Sequence, residues 1–275
     1  MFLLNGHDNN SLPISDRGLH YGDGLFETLE IHQGKPLFLA QHLQRLQLGC
    51  LRLKIPAFDP QLLTQEAYQL CQNHARGVLK IIVTRGSGGR GYRQPDPVAA
   101  TRILGVYPYP DYPQHYADQG VELTVCQHPV SVNPVLAGIK HLNRLDQVLA
   151  RSEWQDDRFQ EGIMCDSQGF LIEGTMSNLF WVRDQTVYTP SLAQAGIDGI
   201  VRQWLIHYLQ DKSIAVETGQ FTFEHLFSAH EVWVTNSIIG IWPVRAIHDQ
   251  TYVLGPVVRQ LQSAWQQARE QQLLC

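Results

Sequence analysis

Apolar and polar positions along the chain switch repeatedly between a period near two and a period near 3.6 residues, the signature of strands alternating with helices. Residues 25–33 (LFETLEIHQ) and 36–39 read as two strands around a turn at Gly34, and the apolar stripe over 40–53 predicts an amphipathic helix. A second helix opens at Asp59-Pro60, an N-cap residue followed by proline at the first helical position, and runs to about 74. The runs 77–86 and 101–107 are apolar enough for buried strands. Further on, the pattern predicts a strand over 121–127 and a helix over 143–158. Short strands with turns at 166–169 and 184–185 follow over 162–189. A helix over 199–211, strands over 231–235 and 241–247 and a closing helix over 256–272 complete it.

One segment interrupts the alternation. YPYPDYPQHY, residues 107–116, holds three prolines and four tyrosines, and proline cannot pair inside a central strand. It reads as an extended connection whose rings also line something. The expected organisation is an N-terminal α/β domain over 1–108, a linker over 109–119 and a C-terminal domain over 120–275. The fold class is α/β grading into α+β.

Composition narrows the function classes. The 275 residues are 44% apolar and 17% charged, against about 25% charged in an ordinary soluble domain, which leads us to expect an outer surface covered by a second copy. The net charge of −5 has no basic run behind it, which argues against nucleic acid as a partner. No run approaches the ~18 apolar residues of a membrane span, and MFLLNGHDNN has no basic leader pattern, so we expect a cytoplasmic protein with no membrane partner. Cys50, Cys71, Cys126, Cys165 and Cys275 form no CxxC pair, and His230-Glu231 continues into Val-Trp-Val rather than HExxH. Neither disulfides nor a metal site is expected.

Gly86-Ser-Gly88-Gly89-Arg-Gly91 matches GxGxxG after a strand, but Tyr92-Arg-Gln-Pro95-Asp-Pro97 cannot open the helix that a dinucleotide site requires. The loop reads instead as a surface loop, or as a mobile loop whose Arg85 and Arg90 offer fork-shaped donors to carboxylates. Among the five lysines, only Lys140 follows an apolar, glycine-containing stretch (Pro134-Val-Leu-Ala-Gly138-Ile) and directly precedes a helix. An amine in that setting either snorkels to solvent or does chemistry. Glu173 sits at an apparent strand end in LIEGTMSNLFWV, with Asn178 five residues on. Gly196-Ile-Asp-Gly199-Ile200-Val201 opens a helix whose N-terminal amides could receive a phosphate, and Thr235-Asn236-Ser237 ends a strand with hydroxyl and amide donors.

Taken together, these strings resemble a known family. Asp16-Arg17-Gly18, Tyr21-Gly22-Asp23-Gly24-Leu25-Phe26-Glu27-Thr28, His42-Leu-Gln-Arg45-Leu46, Gly138-Ile-Lys140, Glu173-Gly174, Ser177-Asn178-Leu179-Phe180 and Gly196-Ile-Asp-Gly199-Ile200 follow the order and spacing of the fold-type IV pyridoxal-phosphate enzymes. That family holds branched-chain and D-amino-acid aminotransferases and a lyase branch. Arg85-Gly-Ser-Gly-Gly-Arg90-Gly-Tyr92, Ala137-Gly-Ile-Lys140-His-Leu-Asn143-Arg-Leu145 and Met1-Phe-Leu-Leu-Asn5-Gly6-His7 are similar to the lyases, which act on 4-amino-4-deoxychorismate.

The resemblance implies a two-domain fold-type IV enzyme with a barrel-like core in its larger C-terminal domain. It implies pyridoxal 5'-phosphate as cofactor, a small anionic substrate and a homodimer. Lys140 would be the Schiff-base lysine and general acid/base, with Thr28 near the leaving ether oxygen. Arg45, Ile200, Val201 and the segment Asn236, Ser237, Ile238 would bind the phosphate. Glu173 would meet the pyridine nitrogen, Asn178 would support the ring, and Arg85 and Arg90 would clamp substrate carboxylates. Leu145 stands where the aminotransferases carry a tyrosine near the ring oxygen, which leaves that contact unassigned. The alternatives are an aminotransferase on the same scaffold and, more remotely, a non-catalytic binding protein.

Overall fold

The computed structural model describes residues 2–274, so Cys275 and the first residue of the opening motif lie outside the described residues. In chain order the first elements are β1 (Phe2–Leu4), β2 (His7–Asp8), α1 (Arg17–Tyr21), β3 (Gly24–His32), β4 (Lys35–Pro36), α2 (Leu39–Leu53), α3 (Pro60–Cys71), β5 (Arg76–Thr84) and β6 (Thr101–Tyr107). They build a six-stranded antiparallel sheet in the order β2-β1-β6-β5-β3-β4. Next come α4 (His115–Gln119), β7 (Val121–Val125), α5 (Leu145–Arg151), β8 (Glu161–Cys165), β9 (Leu171–Gly174), β10 (Asn178–Arg183) and β11 (Thr186–Pro190). The last are α6 (Ile200–Asp211), β12 (Val216–Gly219), α7 (Phe223–Phe227), β13 (Glu231–Asn236), β14 (Gly240–Ile247), β15 (Gln250–Thr251) and α8 (Pro256–Leu274). Here a nine-stranded mixed sheet runs β12-β11-β10-β13-β14-β7-β8-β9 with β15 beside β14, and it curls so that β9 hands the chain straight on to β10.

Both sheets are the curled α/β kind that the strand and helix periods foretell. By internal contacts, residues up to Pro110, Ile139–Asn143 and the end of α8 form one compact unit, and Asp111–Gly138 with Arg144–Glu270 form the other. In the first unit β3 alternates: Leu25, Glu27, Leu29 and Ile31 are buried, while Phe26 and Thr28, on the opposite face, stay half-buried. Helix α2 brings Leu39, His42, Leu43, Arg45, Leu46 and Gly49 onto its buried stripe. A Cβ at Gly49 would stand 2.7 Å from Leu25, which sets how closely α2 lies on β3. In the second unit the core gathers Leu123, Ile163, Leu179, Trp181, Val234 and Val244.

Two expected elements differ. The helix expected over 143–158 is only α5, Leu145–Arg151. Before it, the Lys140 carbonyl accepts from Phe26 N (2.9 Å) and Leu142 N donates to Gly24 O (3.0 Å), so this stretch lies along β3 rather than coiling. After it, Arg151 donates to the Trp154 carbonyl and Asp156 accepts from Arg158 N; such side-chain bonds to the backbone compete with a helix. The strand expected over 36–39 shrinks to Lys35–Pro36, because Phe38 takes a left-handed conformation (φ 54°) that starts α2. Within the proline-rich segment, Tyr112 and Tyr116 stand edge-on to Trp242 with centroids 4.9 and 5.2 Å away, so their rings cover the second sheet.

Candidate active site

In the first unit, the short stretch along β3 carries Lys140 to the half-open face of the sheet. Its Nζ lies 4.3 Å from the centre of the Phe26 ring, and Thr28 projects from the same face two residues on. Lys80, opposite Thr28 in the β3–β5 register, brings a second ammonium to within 5.4 Å of that ring. The strand pattern alone gave Lys80 an ordinary reading; the signal was the pairing register, which no single-strand period reveals. Behind this face, Arg45 donates to both oxygens of Glu27 (2.8 and 2.5 Å) and His42 Nδ1 lies 2.6 Å from Oε2. Burial alone would raise the Glu27 pKa, but the charge and hydrogen bonds of Arg45, then those of His42, hold it at about 2. Burial pushes His42 the other way, below the usual histidine range, with Glu27 opposing.

The glycine-rich loop is tied to the chain's first helix. Asp16, fully buried, accepts from Gly18 N and from the Thr84 hydroxyl, and Arg17 donates to the Gly91 carbonyl (3.0 Å). Asp23 receives Arg17 Nε at 3.0 Å and Arg85 through two bonds at 2.7 and 3.0 Å. Burial raises the Asp23 pKa, yet the bonds and charges of Arg85 and Arg17 outweigh it and the net shift is downward. Arg85 also donates to the carbonyls of Leu53 and Lys54 (2.8 and 2.7 Å). This corrects the expected carboxylate clamp: the Arg85 guanidinium is buried and engaged with Asp23 and two carbonyls, so it anchors the loop. At Gly86 (φ 88°) a Cβ would stand 1.9 Å from the Ala99 carbonyl oxygen, so only glycine fits there. Arg90 and Tyr92 are exposed, and turns and bends rather than a helix follow the glycines.

The second unit brings Glu173 and Asn178 to the backbone of one residue, Ile197. Glu173 Oε2 accepts the Ile197 N–H at 2.8 Å, and Asn178 Nδ2 donates to the Ile197 carbonyl at 2.8 Å. The same segment is bridged to Gly138, two residues before Lys140, through Gly138 N to Gly196 O and Asp198 N to Gly138 O. Held this way, the chain enters α6 at Gly199, whose absent side chain leaves that helix start without a side-chain cap. A Cβ there would lie 2.1 Å from Asn178 Oδ1. The first amides of α6, Ile200 and Val201 among them, face out of the positive end of the helix. In the same unit, Glu161 accepts from Thr175 N, Thr175 Oγ1, Met176 N and Ser177 Oγ, which fixes the turn between β9 and β10.

The 236–238 segment is less open than expected. Asn236 Oδ1 takes the amides of Ile238 (2.8 Å) and Ile239 (2.9 Å), while its Nδ2 grips the Met176 carbonyl. Its side chain therefore shapes the turn, which reduces what the segment offers a phosphate. Leu145 opens α5 and is 73% exposed. Burial pushes the Cys50 thiol up to about 11 and those of Cys71, Cys126 and Cys165 up to about 12, so all four stay protonated and unreactive.

The second unit thus offers a buried carboxylate held by an amide and an uncapped helix start lined by a close glycine, and the first unit a lysine on an aromatic ring, each the kind of group that a phosphorylated pyridine aldehyde calls for. The class IV aminotransferase family model matches residues 24–247, and the chain belongs to that family. Over 266 residues it is 34% identical to the aminodeoxychorismate lyase of Vibrio harveyi, spanning 95% of this chain and 98% of the relative. The crystal structure of 4-amino-4-deoxychorismate lyase from Pseudomonas aeruginosa superimposes with a TM-score of 0.94 at 42% identity, covering 97% of this chain and 98% of that one. The branched-chain-amino-acid aminotransferase of Escherichia coli (strain K12) is 28% identical over 275 residues, covering 94% of this chain and 88% of its own.

Proposed function

We propose that this protein is a pyridoxal-phosphate-dependent lyase that converts 4-amino-4-deoxychorismate to 4-aminobenzoate and pyruvate. The observation that carries the reading is its end-to-end likeness to the lyases of V. harveyi and P. aeruginosa; the lysine, the buried glutamate and the uncapped helix start described above are consistent with it.

Bound pyridoxal phosphate supplies an aldehyde for the substrate amine and a pyridine ring that accepts an electron pair. Lys140 would hold the cofactor through its Nζ, and the same amine would take the proton from the substrate ring carbon that bears the amino group. The bond between the ring carbon and the enolpyruvyl oxygen then breaks, its electron pair leaving with that oxygen as the enolate of pyruvate, which takes up a proton at its methylene carbon, and the remaining ring becomes aromatic. Thr28 donates its hydroxyl toward that oxygen. Glu173 holds a proton between its carboxylate and the ring nitrogen, and Asn178 keeps the Ile197 peptide in place. Arg45, the amides of Ile200 and Val201 and the turn at Asn236, Ser237 and Ile238 would be the phosphate-binding groups. With Arg85 committed to Asp23, the cations left for substrate carboxylates are Lys80 on the sheet face and Arg90 on the exposed loop.

The domains in this reading are 1–108 and 120–275, joined by 109–119. A homodimer is part of it, because Leu145, Val148 and Leu149 leave an apolar stripe exposed on α5. The cytoplasm is the expected location; no helix among the described residues is long and apolar enough to cross a membrane. The family's aminotransferases keep a second reading in view. Incubation of the holoenzyme with D-alanine or a branched-chain amino acid plus 2-oxoglutarate separates the two. The lyase reading predicts glutamate formation at a small fraction of the rate of pyruvate release from 4-amino-4-deoxychorismate. Glutamate formation as the faster reaction would overturn it.

A further inference from the structure

The residue that leads into α6 is gripped by side chains from the helix's own first turn. Arg202, buried at 7% exposure, donates through Nη1 to Asp198 Oδ1 at 2.7 Å and through Nη2 to the Pro190 carbonyl, at the end of β11, at 3.0 Å. Its Nε is buried with no hydrogen-bond partner among the described residues, so those two bonds aim the guanidinium. Gln203 Nε2 donates to the other carboxylate oxygen of Asp198 at 3.0 Å, and the Asp198 amide donates to Gly138 O at 3.0 Å. Two features here run against ordinary helix chemistry. A cation in the first turn opposes the positive end of a helix, and Arg202 is the third residue of α6. An aspartate at a helix start commonly turns its carboxylate onto the first-turn amides. Asp198, one residue ahead of the N-cap Gly199, instead gives both oxygens to side chains, and Gly199 itself supplies no cap. Each feature accounts for the other: Arg202, four residues on and so on the same flank of the helix, draws the carboxylate away from the helix mouth and cancels its charge.

We propose that Arg202 is a positioning residue for the phosphate of the cofactor, acting through Asp198: it holds that carboxylate off the first amides of α6 and neutralises it, so that the helix start receives an anion. The inference rests on the reading that the Ile200 and Val201 amides bind phosphate. A helix start attracts anions through its amides and its dipole, and a carboxylate of the same chain is the nearest competitor for both. With the guanidinium gone, Asp198 repels the phosphate and is released toward the same amides. With both side chains made neutral, neither effect remains.

The test titrates the full chain, freed of cofactor, with pyridoxal phosphate and separately with pyridoxal, which lacks the phosphate. Dissociation constants are read from the visible absorbance of the bound aldehyde. Arg202→Gln should raise the constant for pyridoxal phosphate about tenfold or more and leave that for pyridoxal within about twofold. Adding Asp198→Asn to that variant should bring pyridoxal phosphate back to within about threefold of wild type. A merely structural role would weaken both aldehydes alike. Unchanged binding of pyridoxal phosphate by Arg202→Gln, equal weakening of both aldehydes, or a double variant as weak as Arg202→Gln would each overturn the proposal. Should Arg202→Gln fail to fold, the double variant decides: pyridoxal phosphate within about threefold of wild type supports the proposal, and a loss of about tenfold overturns it. The underlying reading is checked on the wild type labelled with nitrogen-15, where the Ile200 and Val201 amide resonances should move with pyridoxal phosphate and stay with pyridoxal. If they move while Arg202→Gln binds as wild type does, only the positioning role falls. If they stay with both aldehydes, the phosphate reading falls and the proposal falls with it.

Discussion

Glu27 and Glu173 are both strand carboxylates that follow an apolar residue, and both are buried, at 1% and 3% exposure. Their surroundings differ in kind. Glu27 lies against Arg45 through two hydrogen bonds and against His42 through a third, on the side of β3 that faces α2. Glu173 accepts the Ile197 backbone amide and a longer bond from Gln147. Glu27 is taken up by a guanidinium fork and an imidazole, whereas the bonds described at Glu173 come from a backbone amide and a side-chain amide. Burial alone therefore does not separate structural from chemical carboxylates; the kind of partner does. Asp23 belongs with Glu27, since its oxygens take Arg17 and Arg85 and its work is to hold the glycine-rich loop.

The comparison breaks first at Glu27→Gln. Removing that charge leaves Arg45 buried without its anion, so the variant should lose about 3–5 kcal/mol of unfolding free energy in urea titrations. The same group sets an acid limb. Its folded pKa of about 2 lies below the ordinary 4.5, so its stabilisation is complete above the ordinary value and is lost as pH falls toward 2. The wild type should thus lose about 3 kcal/mol across that window, and Glu27→Gln should show a shallower slope. Glu173→Gln should behave oppositely, with unfolding free energy within about 1 kcal/mol of wild type and kcat down about 10²-fold. A Glu173→Gln variant as unstable as Glu27→Gln would erase the distinction. The smallest effect is expected at Lys80→Gln, where loss of a substrate-facing cation should raise KM about tenfold with kcat within about twofold.

Much of this was legible along the chain because it is periodic or local. The alternation at Leu25, Glu27, Leu29 and Ile31, the Asp59-Pro60 helix start and the Gly199 entry to α6 each depend on neighbours a few residues apart. What escaped depends on partners far away in sequence. Arg85 looked like a free fork because Asp23 and the carbonyls of Leu53 and Lys54 come from other elements. Lys80 looked ordinary because its place beside Phe26 follows from the pairing of β3 with β5. The helix over 143–158 was overdrawn chiefly at its tail, where polar side chains bond nearby backbone, while the residues just before it pair with β3. Glu173 was singled out in the sequence and Glu27 was not; the Arg45 and His42 bonds that engage Glu27 come from another element.

The most direct test of the lyase reading supplies 4-amino-4-deoxychorismate from a chorismate-aminating enzyme and follows 4-aminobenzoate by its fluorescence alongside pyruvate. The wild-type holoenzyme should release the two products in equal amounts, and Lys140→Ala should lose both the turnover, by about 10⁴-fold, and the visible absorbance of the covalently held cofactor. Equal product release by Lys140→Ala, or no 4-aminobenzoate from a fully loaded wild type, would contradict it.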